Sequence, residues 1–300
     1  MDENSAPANG PYLLAAVDSS ASAYQAAAWA AATAATRRWP LHILTSMGLP
    51  EGYGPGLTLT EADIEYLQRE GEAIVTEAAR VARAAVPGAE PRISTEVAFE
   101  EVRPLLIERS RRAAMLAVGS RGMGAFERGL LGSVSTAVTR HAHCPVAVVH
   151  DIAGLTEDWR MRPVLVGVDG SENSRPAIEL AFAEASLRKV GLTALHTWSD
   201  STALTLPMPG WDAVRGSEHA LLGEQLAGFQ ERYPDVEVRR IVLCDRPARA
   251  LLDESANAQL IVVGSHGRGG FATMTLGSTS NTLLHSAECP ILIVRSDKPA

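Results

Sequence analysis

Two segments of the sequence repeat one glycine–serine pattern, GSRGMGAFERGLLGS at 119–133 and GSHGRGGFATMTLGS at 264–278. Each segment reads as glycine, two residues, glycine, nine residues, glycine and serine, and each follows a short apolar run. Glycines at fixed positions indicate backbone that approaches a ligand closely or takes a positive φ. A serine that opens a helix offers a hydroxyl and free N–H groups to an anion. The repeated pattern therefore predicts phosphate binding at two sites.

An aspartate ends the first predicted strand of each half of the chain, Asp18 in the first half and Asp169 in the second. At the carboxyl end of a strand in an open α/β sheet, a carboxylate faces the ligand crevice. There it would hold part of a nucleotide or the metal ion bound to it. The alternative role is a turn or a helix cap, because aspartate before small residues often forms one. Recurrence beside a repeated glycine loop favours the ligand role, and the two roles are compatible.

Other nucleotide and hydrolase motifs are missing from the sequence. It contains no GxxxxGK[ST] for P-loop phosphoryl transfer and no GxGxxG after the first strand for a dinucleotide. It also contains no GxSxG nucleophile elbow between a strand and a helix. The sequence therefore predicts nucleotide binding without an accompanying set of catalytic residues.

The composition bounds the class of protein. A chain of 300 residues, of which 46% are apolar, is long enough for two globular domains. Its formal net charge of −8 argues against nucleic acid and anionic membranes as partners. The N-terminal residues lack the apolar region of a signal peptide, and no apolar run is long enough to span a membrane. Three cysteines without CxxC spacing indicate reduced thiols, so we expect a cytoplasmic protein.

The two halves of the chain carry the same features in the same order. Besides the glycine pattern, LLAAVDSSASA in the first half matches VLVGVDGSENS in the second, and HCPVAVV matches ECPILIV. The sequence therefore predicts a duplicated domain. We place the first domain at 1–150, a linker without clear periodicity at 151–161 and the second domain at 162–300.

Each half alternates predicted strands and helices. This alternation implies βαβ units, a parallel sheet and right-handed crossovers, and short apolar strands suit a sheet that is covered on both faces. Ligands bind such sheets at the carboxyl ends of the strands, beside the topological switch point. In the first half we predict strands at Tyr12–Val17, Leu41–Ser46, Arg92–Ala98, Ala114–Val118 and Pro145–Val149, with helices at Ser20–Arg38, about Glu61–Val86, about Glu100–Arg111 and from Ser133.

The aspartate after the first strand and the glycine–serine pattern before the last helix make the chain resemble the ATP-binding universal stress protein family. The resemblance covers roughly residues 11–150 and 162–296. It implies two tandem, doubly wound α/β domains, each with a five-stranded parallel sheet of order 3-2-1-4-5 flanked by helices. It also implies that the two halves pair through their last strands as an intramolecular pseudo-dimer. A homodimer of two such chains is left open.

The same resemblance implies ATP at both sites, with Mg²⁺ or Mn²⁺ held by the phosphates. The binding role is carried onto the positions of this chain that match the family motif. In the first site these positions are Val17, Asp18, Val118, Gly119, Gly122, Gly132, Ser133, Val134 and Ser135. In the second site they are Val168, Asp169, Val263, Gly264, Gly267, Gly277, Ser278, Thr279 and Ser280. The second strand of each half is expected to contribute Ser46 and Thr197.

Several side chains near the predicted sites are open to more than one interpretation. His266 is interpreted as a phosphate-contacting or solvent-facing residue, with a general base as the alternative. Trp198 is interpreted as a core or surface-covering aromatic. The loops at 48–60 and 199–215 differ between the halves, and we expect them to contribute to specificity.

These features predict an ATP-binding protein that acts as a nucleotide-dependent regulator of stress or growth state, where the word stress comes from the family alone. No catalytic group is predicted, so any ATP hydrolysis should be weak. The first alternative is an enzyme on the same fold, a slow ATPase or a nucleotidyl-transfer relative with His266 as its base. The second alternative is a module that binds another adenine nucleotide, such as AMP or a cyclic nucleotide.

Overall fold

The structure is a computed structural model, which describes residues 10–48, 60–122, 131–150, 157–198, 211–267 and 276–295. The chain divides into two units, residues 1–152 and 153–300. The domain and linker boundaries expected from the sequence stay a prediction, and residues 151–156 of that linker lie outside the described residues.

The first unit alternates strands and helices along the chain, as the sequence predicts. Its elements are β1 (Leu13–Ala16), α1 (Ala21–Arg37), β2 (Leu41–Ser46), α2 (Glu61–Ala84), β3 (Ile93–Ala98), α3 (Val102–Arg109), β4 (Met115–Gly119), α4 (Ser133–His141) and β5 (Val146–Val149).

The second unit repeats this order after a short helix. Its elements are α5 (Glu157–Arg160), β6 (Val164–Val168), α6 (Arg175–Arg188), β7 (Leu192–Thr197), α7 (Trp211–Arg232), β8 (Val238–Leu243), α8 (Pro247–Ser255), β9 (Leu260–Gly264), α9 (Ser278–Ser286) and β10 (Ile291–Val294).

Each unit has a parallel sheet of five strands. The strand order is β3-β2-β1-β4-β5 in the first unit and β8-β7-β6-β9-β10 in the second, which confirms the predicted order. In the first unit Leu13 of β1 pairs with Leu41 of β2 on one side and with Met115 of β4 on the other. The winding of the chain reverses between these neighbours, and this reversal makes the switch point at which a crevice opens.

Helices cover both faces of each sheet, and this confirms the doubly wound α/β fold. In the first unit α1 packs against α2, while α3 packs against α4. Helix α1 lies close to β4 because the face it buries is built of small side chains, among them Ala26, Ala27 and Ala30, which are 0% exposed. Strands β4, β5, β9 and β10 are short and almost wholly buried, as a sheet covered on two sides requires, whereas the edge strands β3 and β8 are partly exposed.

Polar side chains set where the helices begin. Ser20 caps α1 by accepting a hydrogen bond from the backbone N–H of Ala23 at 3.3 Å. Thr60 caps α2 in a reciprocal arrangement with Asp63, whose carboxylate accepts from the Thr60 backbone at 2.9 Å. Within the described ranges, none of the helices offers an apolar stretch long enough to cross a lipid bilayer.

Candidate functional site

A cavity of about 610 Å³ opens in the second unit at the carboxyl ends of β6, β7 and β9. Its lining includes all ten residues that the sequence predicts for the second site: Val168, Asp169, Thr197, Val263, Gly264, Gly267, Gly277, Ser278, Thr279 and Ser280. These residues come from three strand ends, one loop and the start of one helix. The fold therefore brings the separate parts of the predicted site to one place.

The cavity also has walls that the site prediction did not include. His266 stands in the glycine loop, and Arg246 and Pro247 stand at the start of α8. Leu195 and Trp198 lie at the end of β7. The interpretation of Trp198 as a core or covering aromatic missed its place in the cavity wall. Leu195 has a leucine counterpart, Leu44, but the other four positions carry residues of other types in the first half, so no repeated pattern marks them.

The two aspartates make the same turn in both units. Oδ1 of Asp169 accepts hydrogen bonds from the backbone N–H of Ser171 at 2.8 Å and from its hydroxyl at 2.7 Å. Oδ1 of Asp18 accepts from the backbone N–H of Ser20 at 2.9 Å and from the Ser20 hydroxyl. Both aspartates therefore form a turn, and the hydrogen bonds of that turn use only Oδ1 of each carboxylate. The other oxygen, Oδ2, points toward the glycine loop.

The middle glycine of each pattern lies against that second carboxylate oxygen. A Cβ built on Gly122 would lie 2.7 Å from Oδ2 of Asp18, and one built on Gly267 would lie 3.2 Å from Oδ2 of Asp169. None of the six pattern glycines is among the described glycines with a positive φ, which are Gly10, Gly88 and Gly170. At Gly122 and Gly267 close approach to the carboxylate, and not an unusual backbone angle, therefore favours glycine.

The first helical residues after the glycine loop form a set of backbone donors. In α4 the first N–H that donates to a carbonyl of the same helix turn is that of Thr136, to Gly132 at 2.9 Å. The N–H groups of Ser133, Val134 and Ser135 precede it and have no acceptor within the helix. Neither Gly132 nor its counterpart Gly277 supplies a side-chain cap. Both helix starts can therefore meet an anion with several N–H groups and the helix dipole.

The two serines of each helix start have different surroundings. Ser133 and Ser278 are exposed. The buried hydroxyl of Ser135 donates to the carbonyl of Gly119 at 2.6 Å, and that of Ser280 donates to the carbonyl of Gly264 at 2.7 Å. A hydroxyl has a single hydrogen to donate. These buried hydroxyls therefore tie the helix to the strand end, and only the exposed serines offer a hydroxyl hydrogen to a ligand.

The strand ends supply the floor of each site. Val17, Val118, Val168 and Val263 are all buried, between 2% and 6% exposed. Thr197 at the end of β7 lines the cavity. The hydroxyl of Ser46, its counterpart on β2, donates to the carbonyl of Glu100 at 2.5 Å and accepts from the N–H of Gly48 at 3.3 Å. Ser46 thus joins two loops of the first unit.

In the first unit the described part of the glycine loop is held by the turn after β1. The hydroxyl of Ser22 donates to the carbonyl of Arg121 at 2.6 Å. The N–H of Gly132 donates to the carbonyl of Ser120 at 2.8 Å. Asp18, Gly119, Gly122 and the start of α4 therefore lie close together. Residues 123–130 and 268–275 of the two patterns, and most of the specificity loops expected at 48–60 and 199–215, lie outside the described residues.

His266 and the two buried cysteines, Cys144 and Cys289, have different surroundings. Nδ1 of His266 shares a hydrogen bond with the hydroxyl of Ser265 at 2.9 Å. Burial raises the pKa of both the Cys144 and the Cys289 thiol to about 12, which fits a packing role. Among the residues that the structure describes, no three His, Cys, Asp or Glu side chains are grouped as a metal site.

Known proteins support the resemblance drawn from the motifs. The model of the universal stress protein family matches residues 12–150 and again residues 161–295. A universal stress protein of Mycobacterium tuberculosis is 46% identical over 281 residues, which cover 93% of this chain and 95% of that protein. A second universal stress protein of the same organism is 38% identical over 284 residues, covering 94% of this chain and 96% of that protein.

A solved structure supports the fold. The crystal structure of a universal stress protein from Archaeoglobus fulgidus superimposes with a TM-score of 0.66 at 24% sequence identity, and the match covers 95% of this chain and 96% of that one. The family model matches both halves of the sequence, and the two relatives align with this chain over nearly their whole length. The chain therefore belongs to the universal stress protein family.

Proposed function

We propose that the chain binds ATP at two sites, one in each unit, and acts as a nucleotide-dependent regulator of stress or growth state. The observation that carries the proposal is the cavity of about 610 Å³ whose lining contains every residue predicted for the second site. Ligand pockets for small molecules commonly measure about 300–1,000 Å³. The size of this cavity therefore suits a nucleotide.

The two ends of the cavity differ in the way that a nucleotide requires. At one end the N-terminus of α9, with the exposed hydroxyl of Ser278, offers N–H donors for phosphate oxygens. Toward the other end Leu195, Trp198 and Leu251 provide apolar surface. The phosphates of a nucleotide would contact the N–H donors, and its aromatic base would contact the apolar surface.

A divalent cation is part of the proposal. Magnesium takes oxygen ligands and is usually held by one or two carboxylates together with the phosphates of a substrate. Each site has one aspartate, Asp18 or Asp169, with Oδ2 directed at the glycine loop. This donor set fits a cation that is bound mainly through the phosphates and approached by one carboxylate.

Regulation is favoured over catalysis because several polar groups of the site are engaged in holding its backbone in place. Oδ1 of each aspartate holds a turn, and the buried serine hydroxyls hold the helix to the strand. The enzyme alternative depends on His266, which lines the cavity. If it is correct, the protein will turn ATP over repeatedly and His266→Ala will abolish that turnover without abolishing binding.

Further parts of the proposal come from the family and the composition. We include a cytoplasmic location, with no nucleic acid and no membrane as partner. Pairing of the two halves, and of two chains, stays a prediction. AMP or a cyclic nucleotide is the alternative ligand. The N–H donors and the apolar wall of the cavity would suit a phosphate group and a base whether the nucleotide has one phosphate or three.

The experiment is to purify the protein without added nucleotide, denature it and identify any released small molecule by mass spectrometry with its molar ratio. Release of ATP, at up to two molecules per chain, is the expected result. Release of AMP or a cyclic nucleotide would favour the alternative ligand. If the protein is empty and the folded chain binds no Mg-ATP on titration, the proposal is wrong.

A further inference from the structure

The ends of β2 and β7 carry different side chains at the same backbone position. Met47 follows β2 and donates its N–H to the carbonyl of Ala98 at 2.8 Å, while Trp198 follows β7 and donates to Leu243 at 3.3 Å. A Cβ built on Gly71 of α2 would lie 3.1 Å from Cγ of Met47, so the Met47 side chain packs against α2. Trp198 instead lines the cavity of the second unit.

A second pair of equivalent positions differs in charge. Glu101 and Arg246 are the N-cap residues of α3 and α8, with φ and ψ of −60° and 128° in the first and −69° and 129° in the second. The carboxylate of Glu101 accepts a hydrogen bond from Nε of Arg103 at 2.7 Å. Arg246 lines the cavity of the second unit.

Both differences fall at the end of the cavity away from the anion-binding helix. The strand order β7-β6-β9 puts β7 two strands from β9, a separation of about 10 Å. Helix α8 packs against β6, β7 and α9, but its N-cap Arg246 follows the end of β8, which lies beyond β7 in the sheet and farther still from β9. A nucleotide whose phosphates meet the start of α9 would therefore place its base beside Trp198 and Arg246.

We propose that the two sites are not equivalent, and that the second site binds Mg-ATP more tightly because Trp198 and Arg246 hold the purine base. This inference rests on the function proposed above. An indole stacks on a base, and a planar guanidinium covers the face of an aromatic ring or donates to its ring nitrogens. The first site has a methionine turned to α2 and a glutamate paired with arginine at the matching positions.

The test is a calorimetric titration of the nucleotide-free chain with Mg-ATP, repeated with Mg-tripolyphosphate as a probe that has no base. We expect two classes of ATP site in the unaltered protein, separated by about tenfold in Kd. Trp198→Ala should weaken the tight class by about tenfold, and Arg246→Ala by about threefold. Neither change should alter the affinity for tripolyphosphate at the second site by more than about twofold.

Two matched variants serve as controls. Trp198→Phe keeps an aromatic face and should weaken the tight class less than Trp198→Ala does, which shows stacking even if the alanine variant folds poorly. Glu101→Ala alters the equivalent N-cap of the first unit and should leave the tight class unchanged. Intrinsic fluorescence gives a second readout, because ATP should quench a component of the emission that is missing from Trp198→Phe.

Two results would overturn the inference while leaving the proposed function in place. One is a single class of ATP sites in the unaltered protein. The other is a tight class that is unchanged in both Trp198→Ala and Arg246→Ala. If the unaltered folded protein binds no Mg-ATP at all, the proposed function fails, and this inference fails with it.

Discussion

A Cβ placed on Gly122 would lie only 2.7 Å from Oδ2 of Asp18, although the two residues are more than a hundred positions apart in the chain. The repeated relationship in the second unit, between Gly267 and Asp169, is looser at 3.2 Å. The strand end and the glycine loop thus meet at the carboxylate in both units. In both units the carboxylate leaves little room for a side chain on the loop residue that faces it, so glycine suits that position.

The tighter contact predicts a larger effect of a methyl group in the first unit. Gly122→Ala must displace the Asp18 carboxylate, and we expect it to weaken Mg-ATP binding at the first site by about tenfold. Gly267→Ala needs a shift of only a few tenths of an ångström and should cost about two- to threefold at the second site. Calorimetry in an Asp169→Ala background reads the first site alone, and an Asp18→Ala background reads the second. Equal effects in the two units would contradict the geometry.

Another glycine of the pattern should matter for stability. A Cβ on Gly119 would lie 2.7 Å from Oγ of Ser22 and 2.8 Å from the backbone nitrogen of Ala23, whereas the nearest atoms at Gly264 lie at 3.3 Å. Backbone cannot yield as a side-chain tip can, so Gly119→Ala should lower the free energy of unfolding by about 1–3 kcal/mol. Gly264→Ala should lower it by less than about 1 kcal/mol. Urea denaturation followed by circular dichroism checks both, and a Gly119→Ala protein as stable as the unaltered one would refute the close packing.

Substitution of the two serines at the start of α4 should affect different properties, nucleotide binding for Ser133 and fold stability for Ser135. Ser135→Ala removes the buried hydrogen bond to Gly119 and should lower the free energy of unfolding by about 1–2 kcal/mol. Ser133→Ala removes an exposed hydroxyl, so it should change stability by less than about 0.5 kcal/mol and weaken Mg-ATP binding at the first site by about threefold. Each variant serves as the control for the other. The assignment of roles is wrong if Ser133→Ala destabilises the fold and leaves binding unchanged.

Burial of two cysteine thiols predicts that the free energy of unfolding falls at high pH. Burial raises the pKa of the Cys144 and Cys289 thiols from 9.0 to about 12. Unfolding exposes both thiols, which then ionise near pH 9, so this contribution is fully present below about pH 9 and is lost as the pH rises toward 12. The free energy of unfolding should fall by at most about 1.4 kcal/mol per thiol and pH unit in this range.

Thiol labelling checks the burial on which that pH dependence rests. At pH 8 a disulfide reagent should modify one thiol per folded chain, the exposed Cys244, and all three in denaturant. Cys244→Ser should abolish labelling of the folded protein. Rapid labelling of three thiols in the native state would show that the two buried positions open to solvent.

The sequence predicts the fold and the meeting of the aspartates with the glycine loops because the same residue types recur in both halves. Asp18 and Asp169 end equivalent strands, and Ser133 and Ser278 open equivalent helices. Parallel strands put their carboxyl ends at one edge, so residues that are distant in the chain meet there. The residue pattern and the family resemblance together were sufficient for these features.

The cavity wall formed by Trp198 and Arg246 was not predicted, for a physical reason. Arg246 is a helix N-cap, a position set by backbone angles, and its counterpart Glu101 has the opposite charge. Comparison of the halves therefore gives no signal at this place. The direction of a hydroxyl is equally hidden, since Ser135 and Ser133 look alike in sequence while only one donates to a strand carbonyl.

A calorimetric titration of the nucleotide-free chain with Mg-ATP measures whether each unit binds one ATP. We expect two molecules bound per folded chain, one per chain in Asp18→Ala and in Asp169→Ala, and none in the double variant. Circular dichroism should show that all four proteins are folded. Two-site ATP binding is wrong if the folded, unaltered protein binds no ATP, or if the double variant still binds two molecules.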